Sequence, residues 1–495
     1  MPTLLEQISD LDTWRREAEE ASIGHEWAEF GQQAGLPLPE DEANLKIYSK
    51  KEEQLSKLLL FLMENNVIPR DQVPDLLYFD AIAKKQRSVT SSIHKKIRDA
   101  RKKELRFSGY KVSIDSWRQF NLQHLKEPDL RERVFNGLIN EANENIGPLV
   151  GQFFDLIRQN YVEYDLNPIG VYCKRAGTTV EQLKEVVDRS GRLAKKPFLE
   201  MAESMWPKIL GHGVNPIDDY YVWRPIVFQE FDSIFKGVEP MKLFLDIMED
   251  MKMNAFLRYM TIDDKPRPGK YASPSCWFIK VPTIGKILFQ KSRPFADATS
   301  GFHEGGHGVH FSSMNPKAPY EDRYLVHTST AEIPSTAFES IVTDTSFLER
   351  RLEVKPKDIE TIHEREIFFE LYYLTFYAAN SMLKIELWEK RLDVEKATDR
   401  YAELTKNYGL PLPGSYWLAH HVISMYAMYA PSYLLANIRR ASLLRKIRDE
   451  HGDEWYKEPG AGKYWREEFC WPGAAVNLDS FPLTSNDYFK DSGLM

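Results

Sequence analysis

Two histidines and a glutamate in the stretch GFHEGGHGVHF, residues 301–311, have the spacing of a metal-binding helix. His303 and His307 are four residues apart, so they lie one turn apart on the same face if the segment is helical. Two imidazoles placed in this way can both reach one Zn²⁺ ion, and Glu304 then lies beside the open position where water binds. Bound zinc lowers the pKa of water to about 7, and an adjacent carboxylate can accept the proton. The motif therefore predicts metal-assisted hydrolysis.

A catalytic zinc site of this kind needs a third protein ligand, which is usually a carboxylate. The segment HTSTAEIPSTAFES, residues 327–340, begins like a helix and supplies Glu332, 25 residues after His307. We expect Glu332 to complete the site from a neighbouring antiparallel helix, although the helix dipole also favours carboxylates in a first turn. Glu339 either holds a ligand histidine through its second ring nitrogen or pairs with a nearby cation.

Three glycines lie within the predicted metal-binding helix. Gly305, Gly306 and Gly308 each cost roughly 1 kcal/mol of helix propensity relative to alanine. We expect these small residues to let another backbone or a substrate approach the helix closely. The alternative is a helix that frays at this point. His310, three residues after His307, is interpreted as a structural or rim histidine.

The residues that follow Glu332 extend the pattern, because residues 332–335 read Glu-Ile-Pro-Ser. With this E-x-P-S motif and its distance from the zinc helix, the sequence resembles the thimet oligopeptidase and oligoendopeptidase F group of M3-like zinc metallopeptidases. The resemblance covers roughly residues 240–445 and is strongest at the zinc helix. It implies one Zn²⁺ ion held by the two histidines and Glu332, with Glu304 as the general base.

The segment ahead of the zinc helix is also similar to that family. Residues 267–282, RPGKYASPSCWFIKVP, resemble the Gly- and Lys-rich hairpin whose strand lies beside the substrate in those enzymes. The resemblance implies substrate contacts for Gly269, Tyr271 and Ala272.

A histidine and tyrosine cluster follows further along the chain. His421, Tyr426 and Tyr433 have the relative spacing of the family's residues that face the scissile carbonyl. The resemblance implies that Tyr433 and His421 stabilise the oxyanion, a role in which each donor is worth about 2.7 to 4 kcal/mol. Tyr426 and Tyr429 are expected to face the substrate or to pack, and His420 is an alternative to His421. An aromatic segment of this kind can equally line a core.

Composition excludes several classes of protein. The 495 residues are 43% hydrophobic and 28% charged, which is enough to bury a large core. The net charge of −8 leaves no basic footprint for nucleic acid. No apolar run approaches the roughly 18 residues of a membrane span, and no signal peptide is recognisable, so we expect a cytoplasmic protein. The sequence sets no oligomeric state, and the three cysteines are expected to be reduced and structural.

The predicted elements are mostly helices. Helical patterns are expected at residues 45–65, 179–196, 297–314, 329–350, 357–393 and 432–449. The window 256–290 is rich in aromatic and β-branched residues and is expected to form a small sheet. The predicted fold class is mainly α, with two helical lobes that flank a deep substrate channel and a small antiparallel sheet beside the zinc helix. Residues 1–235 are expected to form an N-terminal helical channel wall, and residues 236–495 a zinc-binding catalytic region.

The predicted function is that of a zinc-dependent metallo-oligopeptidase, a metalloendopeptidase that hydrolyses internal bonds of short unfolded peptides. In this hypothesis Glu304 first removes a proton from the attacking water and later donates one to the leaving amine. Mn²⁺ or Co²⁺ could occupy the same ligands. Short peptides are the expected partners, without nucleic acid or a membrane.

Three other functions stay open. One is a zinc carboxypeptidase or dipeptidase, in which a cation grips the substrate carboxylate; the candidates are Arg267, Lys270, Arg439 and Arg440. Another is a specialised hydrolase dedicated to one peptide substrate. The third is a peptide-binding protein that has lost catalysis, and the intact set of predicted ligands argues against it.

Overall fold

The structure is a computed structural model. It describes residues 8, 10–211, 215, 217, 226–271, 273–410, 412–484 and 488–489, without the side chains of residues 210, 421 and 422. The chain divides into two compact units, each built from three segments. The first unit comprises Met1–Ser88, Phe231–Ile359 and Arg439–Pro482, and the second comprises Val89–Glu230, Glu360–Ile438 and Leu483–Met495.

Helices account for most of the described chain. In chain order, the α-helices are α1 (Leu11–Gln33), α2 (Asp41–Glu64), α3 (Asp75–Lys102), α4 (Trp117–Gln123), α5 (Pro128–Glu141), α6 (Gly147–Val162), α7 (Pro168–Arg175), α8 (Val180–Leu210), α9 (Pro240–Asp250), α10 (Asn254–Tyr259), α11 (Pro294–Ser312), α12 (Tyr320–Tyr324), α13 (Thr328–Glu339), α14 (Thr345–Arg351), α15 (Pro356–Glu389), α16 (Val394–Asn407), α17 (Tyr416–Ala419), α18 (His421–Ser424), α19 (Ala430–His451) and α20 (Pro459–Tyr464). Short 3₁₀ segments are Arg70–Gln72, Gln229–Ser233, Ser340–Thr343, Trp455–Lys457, Gly473–Ala475 and Leu478–Ser480, and π-helical turns are Ala142–Ile146 and Trp465–Cys470.

Two small sheets complete the secondary structure. The strands are β1 (Leu105–Phe107), β2 (Tyr110–Val112), β3 (Met260–Asp263), β4 (Ser275–Lys280) and β5 (Ile284–Leu288). Strands β1 and β2 form an antiparallel hairpin in the second unit, which the sequence analysis did not predict. In the first unit the strand order is β3-β5-β4, within the predicted window.

The sheet of the first unit is mixed. The predicted antiparallel pairing is confirmed for β4 and β5, which pair with Cys276 opposite Ile287. Strand β3 instead joins β5 in parallel, with Ile262 opposite Ile287. Helix α1 packs on this sheet through a small core; its buried members are Phe30, Ala34, Ile279 and Leu288. Strand β4 is therefore an edge strand, covered on one face by α1.

The helical predictions are confirmed in position, and the structure extends several of them. The predicted helix 179–196 runs on to Leu210, and Thr179 forms a capping box with Gln182 at its start. The predicted helix 329–350 is divided into α13, a 3₁₀ segment and α14. A mainly helical fold with small sheets is thus confirmed.

The predicted regions 1–235 and 236–495 do not coincide with the compact units. Residues 1–88 belong to the same unit as residues 231–359, so the first two helices share a unit with the predicted zinc helix. The assignment of a channel wall and a catalytic region stays a prediction.

Two further expectations concern membranes and disulfides. Across the described ranges, no helix is long and apolar enough to cross a membrane. All three cysteines are free, with Cys173 and Cys470 buried and Cys276 half-buried.

Candidate metal centre

Helix α11 carries the HEGGH motif as one uninterrupted helix, Pro294–Ser312. Pro294 occupies the first turn, where its missing N–H costs nothing. The Asp297 carboxylate accepts backbone N–H bonds from Ser292 at 2.8 Å and Arg293 at 3.2 Å, which fixes the start of the helix. The expectation of a continuous helix is confirmed, and the fraying alternative is not observed.

The glycines of α11 allow close packing on three sides. A Cβ atom at Gly306 would lie 2.5 Å from the Pro334 carbonyl oxygen and 2.6 Å from the Ser335 Cα. At Gly305 it would meet the Phe244 ring at 2.4 Å, and at Gly308 the Phe256 ring at 2.6 Å. The expected close approach of another backbone is thus found at Gly306, where α13 crosses α11. This approach brings Glu332 to the histidines.

Helix α13 is stabilised by its own side chains. The Nδ1 atom of His327 accepts the Ser329 backbone N–H at 3.2 Å, so His327 is the N-cap. Pro334 lies inside the helix, and the hydroxyl groups of Ser335 and Thr336 donate to the Glu332 carbonyl oxygen at 3.0 and 2.7 Å. The Ser335 hydroxyl also donates to the Glu332 Oε2 at 2.9 Å. The E-x-P-S motif therefore orients the Glu332 carboxylate.

The three predicted ligands converge on one point. The Nε2 atoms of His303 and His307 lie 3.4 and 3.6 Å from the same oxygen, Glu332 Oε2. Two ligands that each lie about 2.1 Å from a tetrahedral ion are about 3.4 Å apart, so these spacings suit a zinc-sized ion. The three donor atoms form a candidate metal site, with Glu332 buried and both histidines half-buried.

Glu339 contacts the far side of one imidazole. Its Oε2 atom lies 2.9 Å from His303 Nδ1, which leaves Nε2 directed at Glu332. This geometry matches the first of the two predicted alternatives, in which Glu339 holds a ligand histidine. A carboxylate at Nδ1 fixes the ring orientation and the tautomer that binds metal through Nε2.

The electrostatics of the site differ between its members. Burial disfavours the charged form of His303, yet hydrogen bonds to Glu332 and Glu339 raise its pKa well above the ordinary value. Burial lowers the pKa of His307, although Glu332 opposes that effect. Burial also raises the pKa of Glu332, but His307 and His303 outweigh it, so the net direction is down. The site thus favours an ionised carboxylate between two imidazoles.

Glu304 lies on the same helix, half-buried. Its charge acts on His307, and also on Cys276 of strand β4. Burial and, after it, the charge of Glu304 raise the pKa of the Cys276 thiol well above its ordinary value. Two residues further along β4, Phe278 stacks on Phe311 with ring centroids 3.6 Å apart. Strand β4 therefore runs beside the metal-binding helix.

Cys276 was interpreted only as a structural thiol. Alternation along β4 places Cys276 and Phe278 on the same face of the strand. Phe311 lies two helical turns after Glu304, on the same side of the helix. A predicted aromatic pair between Phe278 and Phe311 could therefore have indicated that this face of β4, which includes Cys276, is directed at the metal-binding helix.

His310 is fully buried beside this site. Its ring packs against Phe469 with centroids 5.5 Å apart, and burial lowers its pKa to about 3. The structural interpretation of His310 therefore agrees with its surroundings.

The segment between β3 and β4 is firmly anchored. The buried Lys270 Nζ donates to three backbone oxygens, including that of Phe289 at 3.0 Å, and pairs with the Asp263 carboxylate at 3.1 Å. Arg267 pairs with the same carboxylate. The Tyr271 N–H donates to the Gln33 carbonyl at 2.8 Å, while its side chain is exposed. Lys270 and Arg267 thus have partners within the unit.

Two other residues of this segment, Gly269 and Ala272, were also predicted to contact substrate. Gly269 adopts a left-handed conformation, with φ +78°, beside Gly35 at the end of α1. Ala272 lies outside the described residues. The substrate contacts predicted for this segment stay predictions.

The histidine and tyrosine cluster lies in the second unit. Tyr426 is 45% exposed, and the hydroxyl groups of Tyr429 and Tyr433 lie 2.9 Å apart. His420 is buried, with its ring beside Phe376 at 5.3 Å, in the kind of aromatic core that the alternative interpretation expected. The backbone of His421 begins α18, but its side chain lies outside the described part. The oxyanion roles of Tyr433 and His421 stay predictions.

The remaining carboxypeptidase candidates are Arg439 and Arg440 of α19. Arg439 is 1% exposed and Arg440 is half-buried. The burial of these two side chains does not show whether either one binds a substrate carboxylate.

No protein-family profile matches the sequence. No curated protein matches it either. Solved structures do match the fold. The M32 carboxypeptidase from Deinococcus radiodurans R1 has a TM-score of 0.59 at 13% identity, with 97% of this chain and 98% of that chain covered. A putative oligoendopeptidase F from Bacillus anthracis str. Ames has a TM-score of 0.56 at 14% identity, with 97% and 84% covered.

A third structure, PZ peptidase A with inhibitor 2, has a TM-score of 0.55 at 13% identity, with 98% and 83% covered. The predicted resemblance to the oligoendopeptidase F group is therefore confirmed at the level of fold. The chain has the fold that PZ peptidase A, this putative oligoendopeptidase F and this M32 carboxypeptidase share.

Proposed function

We propose that the protein is a metal-dependent peptidase that hydrolyses short peptides. The observation that carries this proposal is the convergence of His303, His307 and Glu332 on one point, with Glu304 on the same helix turn as the histidines. Two imidazoles and a carboxylate form a donor set that suits Zn²⁺ and leaves a position for water. The fold shared with PZ peptidase A, a putative oligoendopeptidase F and a carboxypeptidase supports peptides as the substrate class.

In this proposal each residue of the site has one task. His303, His307 and Glu332 would hold the zinc ion, which would lower the pKa of a bound water to about 7 and polarise the scissile carbonyl. Glu304 accepts a proton from the attacking water and later gives it to the nitrogen of the leaving amine. Glu339 keeps the ring of His303 in its binding orientation. The Ser335 hydroxyl, which donates to Glu332 Oε2, keeps the Glu332 carboxylate in its binding orientation.

Oxyanion stabilisation is assigned to Tyr433, with His421 as a second donor. This assignment rests on the sequence resemblance. Hydroxyl donors of this kind contribute about 10²- to 10³-fold to kcat. Tyr433→Phe removes the hydroxyl and keeps the ring, so kcat should fall by that factor while KM changes little. An unchanged kcat would remove Tyr433 from the mechanism.

The test of the peptidase itself is mass spectrometry of a defined peptide mixture. Zinc-loaded protein should shorten peptides, and Glu304→Gln should retain one metal ion yet leave the peptides intact. The glutamine is isosteric with the glutamate but cannot accept the proton, so the pair isolates the general base. Cleavage by Glu304→Gln at a near-normal rate would contradict the mechanism. Peptide binding without cleavage by the wild-type protein would instead favour a binding protein.

For the position of cleavage, the first candidate is an internal bond, as in an oligoendopeptidase. A carboxypeptidase is the second candidate, and one observation favours it. The chain matches 98% of the length of the M32 carboxypeptidase but only 84% of the putative oligoendopeptidase F and 83% of PZ peptidase A. The internal partners of Lys270 and Arg267 argue against these two residues as the group that grips a substrate carboxylate. Arg439 and Arg440 stay candidates for that role.

Paired peptides distinguish the two candidates. Each peptide should be supplied with a free C-terminal carboxylate and, as its control, with a C-terminal amide. An endopeptidase cuts both forms at the same internal bond, whereas a carboxypeptidase releases single residues from the free acid alone. Cleavage of one peptide out of many would favour the specialised hydrolase.

A further inference from the structure

A buried lysine in the second unit holds the backbone ahead of the predicted oxyanion tyrosine. Lys384 lies on α15 and is fully buried, and its Nζ atom donates to the carbonyl oxygen of Tyr426. The same Nζ lies 4.4 Å from the centroid of the Phe154 ring. Burial lowers the pKa of Lys384 well below its ordinary value, and among the described residues no charged partner offsets this effect. A lysine in such a position costs free energy, so a specific contact should compensate.

A second donor lies one helical turn further along α15. The Trp388 indole N–H donates to the Ala427 carbonyl oxygen at 3.1 Å. Lys384 and Trp388 thus bind two consecutive carbonyl groups of residues 425–429, the segment between α18 and α19. This segment is not helical, and side-chain donors bind the carbonyl groups of Tyr426 and Ala427, which a buried backbone needs to have satisfied.

The same face of α15 also reaches the tyrosine itself. Tyr377 lies seven residues before Lys384, and its ring centroid is 5.6 Å from that of Tyr433. Positions seven and four residues apart share one helical face. At the end of the segment, the Tyr429 hydroxyl lies 2.9 Å from the Tyr433 hydroxyl. The chain from Tyr426 to Tyr433 is therefore held at both ends by one helix.

We propose that Lys384 and Trp388 are positioning residues that fix the 425–429 segment and, through it, the hydroxyl pair of Tyr429 and Tyr433. This inference rests on the proposed function, because the hydroxyl of Tyr433 matters only if it serves the reaction. Neither side chain touches substrate in this scheme. They act by limiting where the Tyr433 hydroxyl can be, and an error of about 1 Å in such a donor can cost about 100-fold in rate.

Three variants of the full-length, zinc-loaded protein test the proposal. Lys384→Met keeps the length of the side chain and removes the donor, and Trp388→Phe keeps an aromatic ring and removes the indole N–H. Lys184→Met is the matched control, because Lys184 pairs with the Glu389 carboxylate at the end of the same helix, at 2.8 Å. It removes a basic donor from the α15 surroundings without touching the 425–429 segment.

Hydrogen exchange measured by mass spectrometry is the first readout, and it needs no activity. Peptides that span residues 421–434 should exchange faster in Lys384→Met and Trp388→Phe, and at the wild-type rate in Lys184→Met. Wild-type exchange in both Lys384→Met and Trp388→Phe overturns the proposal, and so does equal acceleration in the control. If Lys384→Met does not fold, Trp388→Phe carries the test.

The second readout is a double-mutant cycle with Tyr433→Phe. Lys384→Met alone should lower kcat about 10- to 100-fold with little change in KM. In the Tyr433→Phe background the same substitution should have almost no further effect, because the hydroxyl it positions is gone. Equal losses in both backgrounds overturn the positioning role. A wild-type protein that cleaves no peptide refutes the proposed function, and the exchange data then decide alone whether the segment is anchored.

Discussion

Two histidine and carboxylate clusters lie in the first unit, one at His303 on α11 and one at His25 on α1. In both, an imidazole contacts two glutamates through its two ring nitrogens. At His303, Nδ1 contacts Glu339 and Nε2 faces Glu332, whose oxygen also faces a second imidazole, His307. One nitrogen is thus oriented by a carboxylate and the other is directed at a shared point.

At His25 the contacts do not converge. Its Nε2 lies 3.4 Å from Glu29 and its Nδ1 lies 3.4 Å from Glu52, so each nitrogen has its own carboxylate on the opposite side of the ring. Hydrogen bonds to Glu29 and then Glu52 raise the pKa of His25 to about 10. This cluster holds α1 to α2 as an ion pair. Side-chain types alone therefore do not make a metal site, because the lone pairs of the ligands must also converge on one point.

The largest expected difference between the two clusters is in zinc binding after an imidazole is removed. His307→Ala should abolish tight zinc binding, because two ligands hold an open site far more weakly than three. His25→Ala should leave one zinc ion bound per chain. Metal content after gel filtration, measured by atomic emission, checks both variants. Zinc retained by His307→Ala, or lost from His25→Ala, would break the distinction between the clusters.

A smaller effect should follow from the carboxylates that contact the outer nitrogens. Glu339→Gln weakens the hydrogen bond to His303 Nδ1, and losses of this kind typically cost 10- to 100-fold in metal affinity. Glu29→Gln makes the matched change at His25 and should not alter zinc affinity. Competition with a chromogenic chelator measures both constants. Equal affinities for Glu339→Gln and wild type would mean that Glu339 does not orient the ring.

The sequence was sufficient for those parts of the site that depend on short-range spacing. The four-residue spacing of His303 and His307 places both rings on one helical face, and the E-x-P-S motif identified Glu332. The orientation of Glu332 could not be read from spacing, because it depends on the backbone of α13 approaching Gly306 within contact distance. The glycines predicted such an approach but not its partner.

Contacts between distant segments were not predictable in the same way. The parallel pairing of β3 with β5 joins Ile262 to Ile287, and alternation along either strand carries no signal for its direction. Lys270 was a candidate for gripping a substrate carboxylate, yet its four oxygen partners come from three positions spread over 27 residues, 263, 265 and 289. Only the tertiary structure shows that Lys270 binds the backbone of its own unit, which argues against a role in gripping substrate.

Alanine substitutions of two glycines, one near each cluster, should change the stability of the protein by an intermediate amount. Gly306→Ala forces a methyl group into the Pro334 and Ser335 backbone, and overpacking of this kind costs about 1 to 3 kcal/mol. Gly24→Ala, next to His25, places its methyl group against the ring of Tyr48, a side chain that can move, and gains about 1 kcal/mol of helix propensity. The melting temperature should therefore fall in Gly306→Ala and stay equal or rise in Gly24→Ala. A Gly306→Ala protein as stable as the wild type would show that α11 and α13 can separate without cost.

The smallest expected effect concerns pH. The pKa of His25 is higher in the folded protein, about 10, than its ordinary value of 6.5, so its pairs stabilise the fold fully below about pH 6.5. That contribution is lost as the pH rises toward 10, where the imidazole becomes neutral. His25→Gln should therefore lower the melting temperature at pH 6 by a few degrees and have almost no effect near pH 10.5. The comparison needs metal-free protein, because zinc binding at the other cluster also varies with pH. A difference between variant and wild type that is the same at both pH values would contradict the ion-pair interpretation of the His25 cluster.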